Sequence, residues 1–169
     1  MNDQQPKPQY FEDFEAGATF EFTVPGLTPD EIKTFAAQYD PQRFHVDEKQ
    51  ASKTHFGGLV ASGFQTQLLC FGPFCREVLL GSHAVGAPGL DELKWLRPWR
   101  PGEDLNVTVT LAEKRVSSKR NDRGYLGFKL KAESDGDPVL TMDWVVIILT
   151  RQALHDASRA GQAEVGSAQ

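Results

Sequence analysis

Cysteine is scarce in this chain: Cys70 and Cys75 are its only two among 169 residues. Five positions apart on a helix, they fall on different faces, which argues against a disulfide. Two thiols without neighbouring ligands also make a poor zinc site. They read as small buried apolar groups. Positive charge is in short supply too, with 18 Lys and Arg against 23 Asp and Glu and a net charge of -5. That balance argues against a dedicated nucleic-acid binder, though an anionic ligand in a local basic pocket stays open. Long hydrophobic runs are missing: the strongest, Val145 to Leu149, is far too short to cross a bilayer. The opening residues, MNDQQPKPQY, lack the apolar stretch of a secretory signal. The expectation is a cytoplasmic protein with no membrane insertion.

What the chain does contain is ordinary globular material, 40% apolar and 24% charged, enough for one domain with a real core. Residues 1–9 read as a disordered lead-in, 10–151 as a single domain and 152–169 as a flexible tail rich in Ala, Gly and Gln. Thr19–Val24 alternates weakly as a strand, ended by Pro25-Gly26. Thr28-Pro29-Asp30-Glu31 has the form of a capping box with proline at the first helical position. Ile32, Phe35, Ala36 and Tyr39 then predict one buried helical face, and Pro41 ends the helix at Asp40. Asp47 is a second cap candidate, before a short helix over 48–53. From Phe56 to Cys75 no residue is charged. Ser62, Gln65, Thr66, Gln67, four glycines and Pro73 make that run too polar and broken for a membrane span. It predicts a helix over about 59–80, surrounded on most sides by protein and kinked or broken at Gly72-Pro73.

After Gly81 the pattern turns to strands: Asp91–Arg97, Asp104–Val116, Tyr125–Ala132 and Val139–Thr150. The last is apolar on both faces from Val145 to Leu149, the mark of a strand covered on both sides. The expected fold is α+β, an antiparallel sheet wrapped around one long central helix. A leftover apolar edge or face favours a homodimer or a higher homo-oligomer.

Two segments carry candidate chemistry. Asp40 and His45 place an acid and an imidazole five positions apart in the loop before the central helix. Such a pair at a pocket mouth can position and deprotonate a water and later return the proton. The bland alternative is a turn-capping aspartate beside a packed histidine. In the second segment, Phe56 to Phe64, Gly63 falls in the first turns of the helix. Free N–H groups at a helix start, with the helix dipole, stabilise negative charge developing on an oxygen. Tight helix–sheet packing is the competing reason for a glycine there. A metal site from His45, Asp47, His55 and His83 is conceivable, but the spacing matches no strong motif.

The run Asp40-Pro41-Gln42-Arg43-Phe44-His45-Val46-Asp47-Glu48, then Ala51, then Phe56-Gly57 with Ala61 and Gly63, resembles the MaoC-like, or (R)-specific enoyl-CoA hydratase, family of hot-dog fold proteins. Trp95-Leu96-Arg97-Pro98 and Arg100-Pro101-Gly102-Glu103 resemble the family's strand-and-turn motif. Gln42 stands where the family has Asn, Pro41 precedes it, and Arg43 holds the usual Pro position. The resemblance implies reversible hydration of a trans-2-enoyl thioester to a (R)-3-hydroxyacyl thioester, a reaction of fatty-acid metabolism that needs no metal or redox cofactor. Asp40 and His45 would activate water, and the Gly63 N–H would hold the thioester oxygen. Arg43, Phe44, Phe56, Gly57 and Ser62 would contact an acyl-CoA or acyl-carrier substrate. Arg43 would favour an extra substrate carboxylate, unless it is simply a solvated loop arginine. Arg97, Arg100, Lys119 and Arg120 are candidates for the carrier phosphates, with ordinary surface charge as the alternative. A hot-dog thioesterase and a non-catalytic acyl-CoA-binding subunit are the competing readings.

Overall fold

The computed structural model describes residues 9–153. The expected lead-in (1–9) and tail (152–169) therefore lie almost wholly outside the described residues. Six strands form one antiparallel sheet: β1 (Thr19–Val24), β2 (Ala84–Gly86), β3 (Leu90–Trp95), β4 (Leu105–Val116), β5 (Arg123–Ser134) and β6 (Asp137–Leu149). Their order is β1-β4-β5-β6-β2, with β3 also paired to β6. The long strands form because apolar residues recur every second position. Leu105, Val107, Val109 and Leu111 of β4 are at most 1% exposed, and Leu126, Phe128 and Leu130 of β5 join them on the same face. Asp135 and Gly136 both adopt positive φ in the turn that joins β5 to β6, as a tight hairpin turn requires.

The helices precede most of the sheet in sequence: α1 (Pro29–Tyr39), α2 (Arg43–Val46), α3 (Glu48–Ala51) and α4 (Gly63–Phe74). The capping box of α1 forms as expected, the Thr28 hydroxyl accepting from the Glu31 N–H while the Glu31 carboxylate accepts from the Thr28 N–H. The Asp47 side chain caps α3 by accepting from the Gln50 N–H. Helix α4 is the axis of the fold. Phe74, at its end, is fully buried in an aromatic cluster with Phe20, Phe71, Phe128 and Trp144. The sheet thus wraps the helix, the arrangement expected of a hot-dog fold.

Five expectations need correction. The central helix starts at Gly63, not near Leu59; Val60 and Ala61 are extended because their N–H groups donate to the carbonyls of Phe44 and Trp99. Pro73 does not break the helix. The chain passes through it and widens into a π-helical turn over Cys75–Leu79, closed by the Leu80 N–H donating to the Cys75 carbonyl at 2.7 Å. Nor is α4 enclosed within this chain, since Phe64, Leu68 and Leu69 leave an apolar face exposed. The outer side of β6 at Val145, Ile147 and Leu149 is only partly covered. Tyr39 is exposed as well, its ring tilted against Phe35 with centroids 5.0 Å apart rather than entering the core.

Candidate active site

The site forms where the C-terminus of α1, the single turn of α2 and the N-terminus of α4 converge. Asp40 closes α1, its N–H donating to the Ala36 carbonyl. Two residues of loop later α2 begins, and its one turn carries His45 inward to 5% exposure. Ser62 caps α4: its hydroxyl oxygen accepts from the Phe64 N–H at 3.3 Å and its O–H donates to Asp40 Oδ2 at 2.7 Å. One buried hydroxyl therefore ties the helix start to the carboxylate. Gln42 Nε2 donates to the other oxygen, Asp40 Oδ1, at 2.8 Å.

His45 Nδ1 lies 2.7 Å from the Val60 carbonyl oxygen. A carbonyl only accepts, so Nδ1 carries the proton. In the neutral ring Nε2 is then a bare lone pair, facing Asp40 Oδ2 at 3.4 Å. That separation exceeds the usual N–H···O range, so the pair is held close without being locked together. Burial pushes the Asp40 carboxyl up, but the hydrogen bonds from Ser62 and Gln42 outweigh it, joined by the positive charge of His45 whenever that ring is protonated, and the group is held below its ordinary value. Asp40 is thus an anion at neutral pH. The arrangement is a basic nitrogen beside a fixed negative charge, both facing one cavity.

That cavity, about 380 Å³, is lined by Asp40, Gln42, Phe44, His45, Phe56 and Gly63, with Val60, Ala61, Phe64 and Thr66 and the segment Trp95–Trp99 completing its wall. As the first residue of α4, Gly63 has an N–H with no intrahelical acceptor. Ser62 stands behind the wall as cap and carboxylate donor rather than on it. Gly57 is exposed at a φ of +67° and does not line the cavity. Arg43 is exposed on α2 and does not line it either. Positions 43 and 45 point to different sides of a helical turn, so a buried His45 sends Arg43 outward.

Of the proposed phosphate binders, Arg97 does line the cavity but is engaged by Glu103 at 2.9 Å, and Arg100 donates to the Phe56 carbonyl at 2.7 Å. Lys119 and Arg120 sit in the β4–β5 turn and do not line it. Among the described residues, no group of three or more His, Cys, Asp or Glu side chains is placed to hold a metal ion. Nor is any described helix long and apolar enough to cross a membrane. Trp95, Trp99 and Thr66 were not among the expected site residues; the proline-rich segment that begins at Trp95, the last residue of β3, was the available signal for the two tryptophans.

Removing the Ser62 hydroxyl tests the electrostatics directly. In Ser62→Ala the Asp40 carboxyl is expected to titrate at higher pH than in the wild type, read from the Asp40 side-chain carbon by NMR. The sign follows from linkage: a carboxyl lowered on folding adds stability above its unfolded value of about 3.9, and loses it as pH falls through the folded value. The variant should therefore have less of this stability to lose in acid, and the loss should be complete at a higher pH than in the wild type. An unmoved Asp40 titration would show that Ser62 is only a helix cap.

The chain is similar to known proteins in sequence and in fold. A family model described as MaoC like domain matches residues 13–126. A Bacillus subtilis (strain 168) protein described as uncharacterized protein YdeM is 32% identical over 115 residues, spanning 68% of this chain and 80% of that protein. The crystal structure of a MaoC-like dehydratase from Rhodospirillum rubrum superposes with a TM-score of 0.76 at 30% identity, covering 84% of this chain and 97% of that one. The (R)-hydratase PhaJ1 from Pseudomonas aeruginosa shares the fold, with a TM-score of 0.69 at 20% identity over 85% and 88% of the two chains.

Proposed function

The chain belongs to the MaoC-like domain family, and on that premise we propose that it is a hydro-lyase that adds water reversibly across a trans-2-enoyl thioester to give a (R)-3-hydroxyacyl thioester. One observation carries the reading: Asp40, His45 and Gly63 meet on one cavity, with His45 Nε2 left free as a base by the bond from Nδ1 to Val60. A water held between Asp40 and His45 gives its proton to Nε2 as its oxygen bonds to C3 of the enoyl group. The π electrons move through C2 toward the thioester oxygen, which the Gly63 N–H receives. The imidazolium, stabilised by the Asp40 charge beside it, returns the proton to C2. Both hydrogens of the water end on the product, so no other reactant is needed. A donor aimed at such an oxygen is worth about 2.7–4 kcal/mol in comparable sites.

The substrate is an acyl-CoA or acyl-carrier thioester, and the exposed apolar face of α4 at Phe64, Leu68 and Leu69 suits a second copy of this chain. Crotonyl-CoA is the test substrate. Hydration is expected to remove the absorbance of the conjugated enoyl thioester without releasing free thiol. Thiol release instead would mean a thioesterase, and tight binding with neither signal would mean a non-catalytic subunit.

A further inference from the structure

Trp95 packs against Gly63 from outside α4. A Cβ built on Gly63 would lie 2.6 Å from the indole ring, so the ring rests directly on the backbone of that residue. Its Nε1–H donates to the Gly63 carbonyl at 2.8 Å. Phe64 abuts the indole edge-to-face at 5.6 Å. The strand that delivers it is distorted for the purpose: β3 slips register against β6 between Asp91 and Lys94, and Glu92 takes a φ of +50°. A bulge of this kind re-aims the side chains that follow it. Leu96, the next residue, is fixed by its N–H donating to the Val139 carbonyl at 2.8 Å. The indole is therefore a held wall and not a loose surface ring, although it is 47% exposed and lines the cavity.

We propose that Trp95 is the specificity-determining residue of the site, a rigid wall beside the Gly63 N–H that restricts the acyl group to short, unbranched chains. The proposal rests on the hydratase reading for the location of the thioester oxygen. With that oxygen at the Gly63 N–H, the carbons next to it run within one residue of the indole. Every added methylene must pass the ring or displace it. Breaking the Nε1–H bond and the contact with Phe64 opposes displacement. Gly63 thus has two reasons to lack a side chain: access for the oxygen, and a seat for the wall.

Wild type, Trp95→Ala and Trp95→Phe are to be compared on crotonyl-CoA, trans-2-hexenoyl-CoA and trans-2-octenoyl-CoA. In wild type, kcat/KM should fall with each extension. Trp95→Ala should raise the octenoyl-to-crotonyl ratio by about tenfold or more, the scale on which pockets sort methylenes. Trp95→Phe keeps a ring but lacks the N–H that anchors it, and should raise the ratio by less than Trp95→Ala does. Parallel chain-length profiles in wild type and Trp95→Ala would overturn the proposal. Binding of the saturated butyryl-CoA and octanoyl-CoA, measured by calorimetry, separates this from failure of the hydratase reading. If no enoyl-CoA is hydrated, the wall still predicts that Trp95→Ala selectively gains octanoyl-CoA. Equal affinity changes for both ligands would remove the wall as well.

Discussion

Asp40→Asn is expected to lower kcat/KM for crotonyl-CoA hydration by about 10²–10⁴-fold, the usual share of a positioned acid–base group. The substitution preserves shape at the end of α1: the amide oxygen still accepts from the Ser62 O–H, and the exposed Gln42 amide can turn over to accept from the new NH2. What disappears is the negative charge 3.4 Å from His45 Nε2. Without it the imidazolium formed as water attacks has no counter-charge, and the water loses one of its two holders. The far-ultraviolet spectrum and unfolding midpoint should stay close to wild type, which separates a chemical loss from a folding loss. His45→Ala should be at least as damaging to the rate. It also strands the Val60 carbonyl, costing about 1–3 kcal/mol of stability for a buried acceptor without a partner. Full hydration rates in folded Asp40→Asn would remove the carboxylate from the mechanism.

The acid and the imidazole were legible in the sequence because their placement is local. A helix ended by Pro41 and a single turn ending at Asp47 leave few ways for Asp40 and His45 to be far apart. The capping box at Thr28 and the alternation along β4 are local for the same reason: each is a rule about residues a few positions apart. The start of the central helix was not local. Leu59 to Ser62 are as apolar and small as a helix turn, yet the Val60 and Ala61 N–H groups find acceptors on Phe44 and Trp99, residues distant in sequence. Composition cannot report such bonds. Ser62 directly before an uncharged run was the available signal for a start at Gly63.

The rest of the site is long-range by construction. Trp95 and Trp99 reach the cavity only because β3 pairs with β6 and the segment after it returns to Ala61. Arg43 shows the opposite error, in which nearness in sequence to His45 suggested nearness in space. One helical turn was enough to separate them. The three-residue β2, exposed at every position and built from Ala, Val and Gly, had no pattern by which to be seen. It exists because the Ala84 and Gly86 backbones complete the edge beside Ile147 and Ile148.

Phe74→Ala is expected to cost about 3–5 kcal/mol, the range for truncating a buried phenylalanine. The ring is fully buried at the end of α4, with centroids 4.9 Å from Phe128, 5.4 Å from Trp144 and 5.7 Å from Phe20. Those partners come from β5, β6 and β1, so a single side chain joins the helix to both halves of the sheet. Stacking and strand pairing hold the neighbours in place: Phe128 and Trp144 are themselves stacked at 5.4 Å and directly opposed in register. They cannot close over the space, so the cavity contribution should be large. Against a typical total of about 5–15 kcal/mol, the loss is a substantial fraction. Urea unfolding should show it as a lower midpoint with an unchanged slope, and Phe74→Leu should fall between the two. Phe74 does not line the active-site cavity, so KM for crotonyl-CoA in the folded fraction should hold. A loss below about 1 kcal/mol would mean that the aromatic cluster repacks freely, and that α4 is anchored to the sheet elsewhere than at its C-terminal end.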